Sequence, residues 1–137
     1  MQDIKDLEAL LASRMPVVIV ESHEERKVSQ LLERFATLND RSFFTWSVTQ
    51  GLRRTNNNES VYNTRDLPDA LRHVELSPQN AIYLFLDAHP YLQEPTIVRI
   101  IKNIAQKAEA VPRMLVFLSH QIELPKELVR LATSFKP

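Results

Sequence analysis

The sequence contains no cysteine and only one glycine, Gly51, among its 137 residues. Without cysteine the chain has no disulfides, thiolate metal ligands or cysteine nucleophiles, and this composition suits a reducing, cytoplasmic compartment. With a single glycine it has no glycine-rich loop whose backbone amides could wrap around a phosphate. The sequence therefore lacks the usual signature of a nucleotide-binding site.

Charge and hydrophobic patterning exclude further classes of protein. Lys and Arg together number 17, as do Asp and Glu, so the formal net charge is zero. A dedicated nucleic-acid binder usually carries a basic surface, which this balance does not provide. No apolar run approaches the length of a membrane-spanning helix, and the charged N-terminus does not resemble a signal peptide. We expect neither a nucleic-acid partner nor a membrane association.

Hydrophobic periodicity predicts alternating strands and helices. Continuous apolar or β-branched runs indicate strands that are buried on both faces, as in a parallel sheet. These strands are predicted at residues 17–20, 42–48, 81–86 and 114–118. Apolar residues at helical spacing predict helices over residues 3–14, 22–37, 66–74, 94–110 and 126–132. Ser22 is the expected N-cap of the second helix, with Glu25 as its capping-box partner.

This alternation implies right-handed βαβ crossovers. We predict one α/β domain over residues 1–137, a three-layer Rossmann-like or P-loop-NTPase-like sandwich with a small parallel sheet of four to five strands and helices on both faces. Residues 49–65 show no clear periodicity and are predicted to form a long exposed loop. Arg53 and Arg54 in this loop are candidate partner-binding residues.

Polar side chains follow the predicted strands where open α/β sheets place their ligand sites. Ser47 and Thr49 follow the second strand of this sheet. The other polar groups form the candidate cluster, which comprises Glu21, His23, Asp87, His89, Ser119 and His120.

A nucleotide-hydrolase site is the first interpretation of this edge. Asp87 stands where a Walker B carboxylate would hold Mg²⁺ through its waters. The turn after the first strand, however, reads Glu-Ser-His-Glu-Glu-Arg-Lys over residues 21–27, with no glycine. Its carboxylates would repel a phosphate at the N-terminus of the following helix. Ala88 also replaces the acid that often follows in an active site. We therefore expect no enzymatic activity and no cofactor for this chain, with weak nucleotide binding as a further alternative.

Two other α/β interpretations use the same residues. A phospho-acceptor receiver domain would also place an Asp after its third strand and a Ser after its fourth, as Asp87 and Ser119 stand here. A metal site could recruit imidazole and carboxylate ligands from His23, Asp87, His89 and His120. No two of these histidines show a compact ligand spacing, so separate polar caps at strand ends are the simpler interpretation.

Four segments in order resemble one known family. They are Val-Glu-Ser-His-Glu-Glu at 20–25, Trp-Ser-Val-Thr-Gln-Gly-Leu-Arg-Arg at 46–54, Leu-Asp-Ala-His-Pro-Tyr-Leu at 86–92 and Ile-Glu-Leu-Pro-Lys-Glu-Leu at 122–128. Together they resemble the N-terminal region of AAA-type ATPases of the hypothetical chloroplast reading frame forty-six family and their bacterial relatives. The resemblance runs from Asp6 to Leu128.

The resemblance implies a longer parent protein, with ATP and Mg²⁺ bound by a second, C-terminal AAA domain that carries complete Walker motifs. This chain resembles only the first, degenerate domain, so none of the family's ATP-binding residues has a counterpart here. The implied role is non-catalytic. It would consist of packing on the C-terminal AAA domain, assembly of a homo-oligomer, or recruitment of a protein partner or substrate.

Overall fold

The computed structural model describes residues 2–55 and 59–137. The helices are α1 (Gln2–Ala12), α2 (Glu25–Leu38), α3 (Leu67–Leu76), α4 (Pro95–Gln106) and α5 (Lys126–Val129), with a 3₁₀ turn at His89–Tyr91. The strands are β1 (Val17–Glu21), β2 (Phe43–Ser47), β3 (Gly51–Arg54), β4 (Glu59–Ser60), β5 (Ile82–Leu86), β6 (Met114–Ser119) and β7 (Ala132–Ser134). No helix in the described ranges is long and apolar enough to cross a membrane.

All seven described strands form one sheet in the order β4-β3-β2-β5-β6-β1-β7. Strands β2, β5, β6, β1 and β7 pair in parallel, while β3 and β4 extend the sheet in antiparallel fashion beyond β2. The prediction of a parallel sheet of four to five strands is confirmed, because β7 supplies the fifth parallel strand. The predicted final helix is shorter than expected and ends at Val129, which leaves room for that strand.

The central strands are buried on both faces because their apolar side chains alternate between two cores. In β1, Val17 and Ile19 join one core, and Val18 and Val20 join the other. Strands β5 and β6 alternate in the same way. Helices α3, α4 and α5 cover the first core, whereas α1 and α2 cover the second. The predicted three-layer sandwich with helices on both faces is therefore confirmed.

The predicted loop over residues 49–65 is wrong for much of its length. A tight turn joins β2 to β3, and β4 then pairs with β3. Residues 56–58, which were part of the predicted loop, lie outside the described residues. Gly51 opens β3 with φ +71°, and a Cβ there would lie 2.9 Å from Oγ1 of Thr64. A glycine is needed at this position because both the backbone conformation and the close approach disfavour a side chain.

Thr64 connects strand β3 and the segment after β4 to β2 through hydrogen bonds. Its side chain is only 3% exposed, and Oγ1 accepts a hydrogen bond from the Leu52 amide at 2.8 Å. The same hydroxyl donates to the Val61 carbonyl at 2.8 Å. The Thr64 carbonyl accepts from Nε1 of Trp46, also at 2.8 Å. Trp46 is thus a core residue, as its strand position predicts, and these bonds tie Thr64 to β2, to β3 and to Val61.

We predict that Thr64→Val lowers the free energy of unfolding by about 1–3 kcal/mol, because it leaves the buried Leu52 amide without an acceptor. Valine has nearly the same size, so packing changes little. The matched control is Thr37→Val, whose exposed hydroxyl donates to the Glu33 carbonyl within α2. Urea unfolding of the two variants should show a much larger loss for Thr64→Val. Equal losses would contradict this role for Thr64.

Candidate functional site

A crevice opens at the carboxyl ends of β1 and β6, which are neighbours in the sheet. After β1 the chain enters α2, which packs on the second core, whereas after β6 it enters α5, whose Leu128 packs in the first. Adjacent strands that send the chain to opposite faces leave a crevice between them, and open α/β sheets bind ligands there. The topology therefore places any inherited ligand site between these two strands.

The crevice holds a cleft of about 230 Å³, which is smaller than a typical ligand pocket. Four members of the candidate cluster line it: His23, Asp87, Ser119 and His120. The remaining lining residues, Ser22, Glu25 and Leu118, were not in that cluster. Ser22 and Glu25 could have been found by extending the same strand-end argument into the first turn of α2.

The two other members of the cluster lie beside the cleft. Glu21 turns away, and its Oε2 accepts a hydrogen bond from the Ile122 amide at 2.9 Å, tying β1 to the segment after β6. His89 packs edge-on against His120, with ring centroids 5.2 Å apart. His23 stacks on the same His120 ring at 6.0 Å. The three imidazoles are thus neighbours, although the sequence separates them widely.

Metal binding finds no geometric support in this arrangement. Across residues 2–55 and 59–137, no group of three or more His, Asp or Glu side chains is placed so that it could hold a metal ion. Ring stacking brings the imidazole faces together, whereas a shared ion needs ring nitrogens that converge on one point. Nδ1 of His89 is buried and has no hydrogen-bond partner among the described residues.

Ser47 and Thr49 do not join the cleft. They lie in the tight turn between β2 and β3, where their hydroxyls are 3.2 Å apart and hydrogen-bond to each other. Strands β5 and β6 separate β2 from β1 in the sheet. The polar groups after β2 therefore stabilise a turn and are not part of the crevice.

Carboxylates surround the N-terminus of α2, where a phosphate-binding loop would otherwise lead. The N-cap residue is Glu24, and Glu25 occupies the first turn. The prediction that Ser22 caps this helix is wrong, because its hydroxyl accepts from the Glu24 amide in a short turn before the helix. Acidic side chains here interact favourably with the helix dipole, and they would repel a phosphate in the same place.

Asp87 has a left-handed backbone conformation, with φ +55°. Its amide donates to the Leu118 carbonyl at 3.0 Å, so the chain turns sharply while still bonded to β6. Asp and Asn adopt this conformation more readily than most residues because their short polar side chains can bond locally. An aspartate at this position therefore has a conformational explanation that requires no ligand.

Arg53 and Arg54 are not in an exposed loop, as the sequence predicted, but in β3, and both are half-buried. Strand alternation directs them to opposite faces of the sheet. Arg54 Nη2 donates to Oγ of Ser42 at 3.1 Å. Both arginines lie far along the sheet from the crevice at β1.

The strand order defines the class of fold. Numbered by themselves, the five parallel strands run 2-3-4-1-5 across the sheet. A flavodoxin-like receiver domain has the order 2-1-3-4-5, so the receiver alternative is wrong. With the fourth strand between the third and the first, the sheet has the arrangement of AAA-type P-loop domains. The chain is thus an α/β domain of that class, and the turn after its first strand is acidic.

Comparison with known proteins identifies the family. The SpoVK-like AAA ATPase N-terminal domain matches residues 3–137, so the chain belongs to this family. It is 28% identical over 131 residues to the uncharacterized AAA domain-containing protein ycf46 of Trieres chinensis. The corresponding proteins of Pyropia yezoensis and Guillardia theta are 26% and 23% identical over 125 and 131 residues. The family inferred from the four sequence segments is confirmed.

These matches cover most of this chain but only a part of each relative. They include 93%, 88% and 93% of the chain, in the order given, and 26%, 25% and 26% of the ycf46 proteins. The chain thus spans about a quarter of the length of the curated relatives it matches.

We predict that Asp87→Gly is more stable than Asp87→Ala by about 1 kcal/mol, because glycine accepts the left-handed backbone and alanine does not. Asp6, an exposed residue within α1, provides the control. There the order should reverse, since glycine is unfavourable inside a helix. Urea denaturation of the four variants checks both orders. Equal stability of Asp87→Gly and Asp87→Ala would argue against a conformational role.

Proposed function

We propose that the chain is a non-catalytic N-terminal domain of a AAA-type ATPase and that it acts through protein–protein contacts. The observation that carries this proposal is the crevice between β1 and β6, which keeps the topology of a ligand site but is lined by acid where a phosphate would bind. The sheet topology is that of a ligand site, but the residues that line it do not suit a phosphate. Activity depends on the residues of a site and not on the fold that carries them.

Phosphoryl transfer requires a cradle for the phosphates and a metal that neutralises their charge. The turn after β1 offers neither glycine amides nor a suitably placed lysine. Lys27, in the first turn of α2, pairs with Glu24 at 3.4 Å in a solvent-exposed ion pair. Asp87 alone would bring a further negative charge to the cleft. We therefore propose that ATP and Mg²⁺ are bound elsewhere in the parent protein.

A domain that has a complete hydrophobic core but no catalytic site can provide binding surfaces for other domains and proteins. Both cores are built from described residues of this chain, with strands and helices that bury each other. Such a unit can pack on the C-terminal AAA domain, help to assemble a homo-oligomer or recruit a protein partner. The length of the ycf46 relatives, about four times the matched region, supports a parent with room for a separate ATPase domain.

We predict that isothermal titration of the chain with Mg·ATP shows no saturation up to about 1 mM, a concentration that corresponds to a very weak complex. The charge-neutral variant with both Glu24→Gln and Glu25→Gln should also fail to bind, because removing repulsion does not supply a phosphate cradle. Micromolar binding by the unaltered chain would overturn the proposal, as would ATP turnover that Asp87→Asn abolishes.

We predict that deleting residues 3–137 from the parent ATPase leaves its nucleotide affinity within about threefold of the intact protein, a change of less than 1 kcal/mol. The same deletion should change the oligomeric state or the set of bound proteins. Nucleotide titration and analytical ultracentrifugation of both forms provide the two measurements. Loss of nucleotide binding on deletion would contradict a purely non-catalytic role.

A further inference from the structure

A groove of about 600 Å³ lies at the opposite end of the sheet from β1, between the β3–β4 strands and the C-terminal turn of α3. Its apolar lining includes Phe44, Val61, Tyr62, Leu76 and Pro78. This volume falls within the range of roughly 300–1,000 Å³ that is typical of ligand pockets. The groove is separate from the crevice at the carboxyl ends of β1 and β6.

The groove exists because the sheet extends further than the helical layer that covers it. α3 shields Leu52 completely, but Arg54, two residues further along β3, lies beyond the helix and lines the groove. Arg113 holds the end of α3 in place, with Nη2 donating to the carbonyls of Glu75 and Ser77. Desolvation lowers the pKa of this buried guanidinium, and the nearby Tyr83 and Glu75 oppose the change. The groove therefore has one fixed wall.

Two exposed apolar side chains flank the groove. Tyr62 is 95% exposed and Leu76 is 80% exposed, more than any other large hydrophobic side chain in the described part of the chain. The others in this class, Leu38, Val48 and Val129, are 55–59% exposed and do not line the groove. Adjacent exposed apolar groups beside a concave surface are characteristic of an interaction site.

The groove is lined by a cation, Arg54, whose hydrogen-bonding capacity is only partly used. Arg54 donates from Nη2 to Ser42, but its Nε is buried without a hydrogen-bond partner among the described residues. Glu59 faces Arg54 in the strand register and lines the same groove, yet no described atom accepts from Nε. A shielded donor without an acceptor is costly, and a guanidinium can donate paired hydrogen bonds to a carboxylate. The electrostatics thus favour an occupant that brings a carboxylate.

We propose that this groove binds an extended segment of a partner protein in which an acidic side chain is flanked by apolar ones. The carboxylate bonds Arg54, and the apolar neighbours pack on Leu76 and Tyr62. Because β4 has only two residues, side chains rather than strand pairing supply the recognition. This inference deepens the proposed function and rests on it in one respect, namely that the domain has a protein partner.

The probe for this site is a fluorescein-labelled, terminally blocked pentapeptide of alternating leucine and valine with a central aspartate. Fluorescence anisotropy with the chain should show binding near 100 µM, an affinity of about 5 kcal/mol that suits a short peptide. The same peptide with a central lysine should bind at least about tenfold more weakly, because it places a cation against Arg54.

Three variants and one control locate the site. We predict that Arg54→Gln weakens aspartate-peptide binding by about tenfold and that Tyr62→Ser and Leu76→Ser each weaken it by about threefold or more. The last two residues are highly exposed, so their replacement leaves the fold intact. Val129→Ser removes an exposed apolar side chain outside the groove and should change the affinity by less than about twofold.

Several results would overturn the inference. They are equal affinity for the aspartate and lysine peptides, unchanged binding by Leu76→Ser and Tyr62→Ser, or displacement of the peptide by N-acetylaspartate at equal concentration, which would indicate a small-molecule site. Self-association that Leu76→Ser abolishes, without peptide binding, would indicate a second copy as the occupant. Failure of the proposed function is distinguishable, because it appears as Mg·ATP binding at the β1–β6 crevice whatever the peptide result.

Discussion

Burial of the central strands on both faces is the constraint on which the rest of the structure depends. Strands β1, β5 and β6 place alternate side chains in two cores, and neither core can be completed by the sheet alone. A parallel sheet of this kind needs helices on each side, joined by right-handed crossovers. The order of the strands and the direction of each connection then create the crevice between β1 and β6, independently of the residues that line it.

The sheet and a phosphate site therefore depend on different parts of the chain. The cores depend on side chains within strands and helices, whereas a phosphate site depends on the short turn after β1. Residues 21–25 retain a turn that is well bonded, through Glu21 to Ile122 and through Ser22 to Glu24, but these bonds use the groups locally. Acid at the start of α2 stabilises that helix. The acidic turn after β1 is therefore compatible with a stable fold.

Sequence patterns predicted the elements that have a continuous hydrophobic periodicity. They missed β3, which depends on contacts between residues distant in the chain. The runs at 17–20 and 81–86 indicate buried strands from composition alone. β3 was missed because it has only four residues, and because its stability comes from Gly51 and from Thr64, which contacts it across the turn. Strand-end reasoning found four of the seven residues that line the cleft. The same reasoning placed Glu21 in the cleft, but its side chain accepts a hydrogen bond from Ile122 instead. The backbone position of a long side chain does not determine which group it bonds.

The β1–β6 crevice and the groove beside β3 differ in the sign of the charge that they favour. At the β1–β6 crevice, Glu24, Glu25 and Asp87 add negative charge around a small polar cleft, whereas the groove beside β3 buries a guanidinium nitrogen without an acceptor. The carboxylates at the first site disfavour an anion there. In the groove beside β3, a small anion could bind Arg54 but would leave Tyr62 and Leu76 exposed to water. It would therefore gain no binding free energy from the burial of apolar surface. An occupant with both a carboxylate and apolar groups satisfies all of these side chains, and a polypeptide segment readily combines the two.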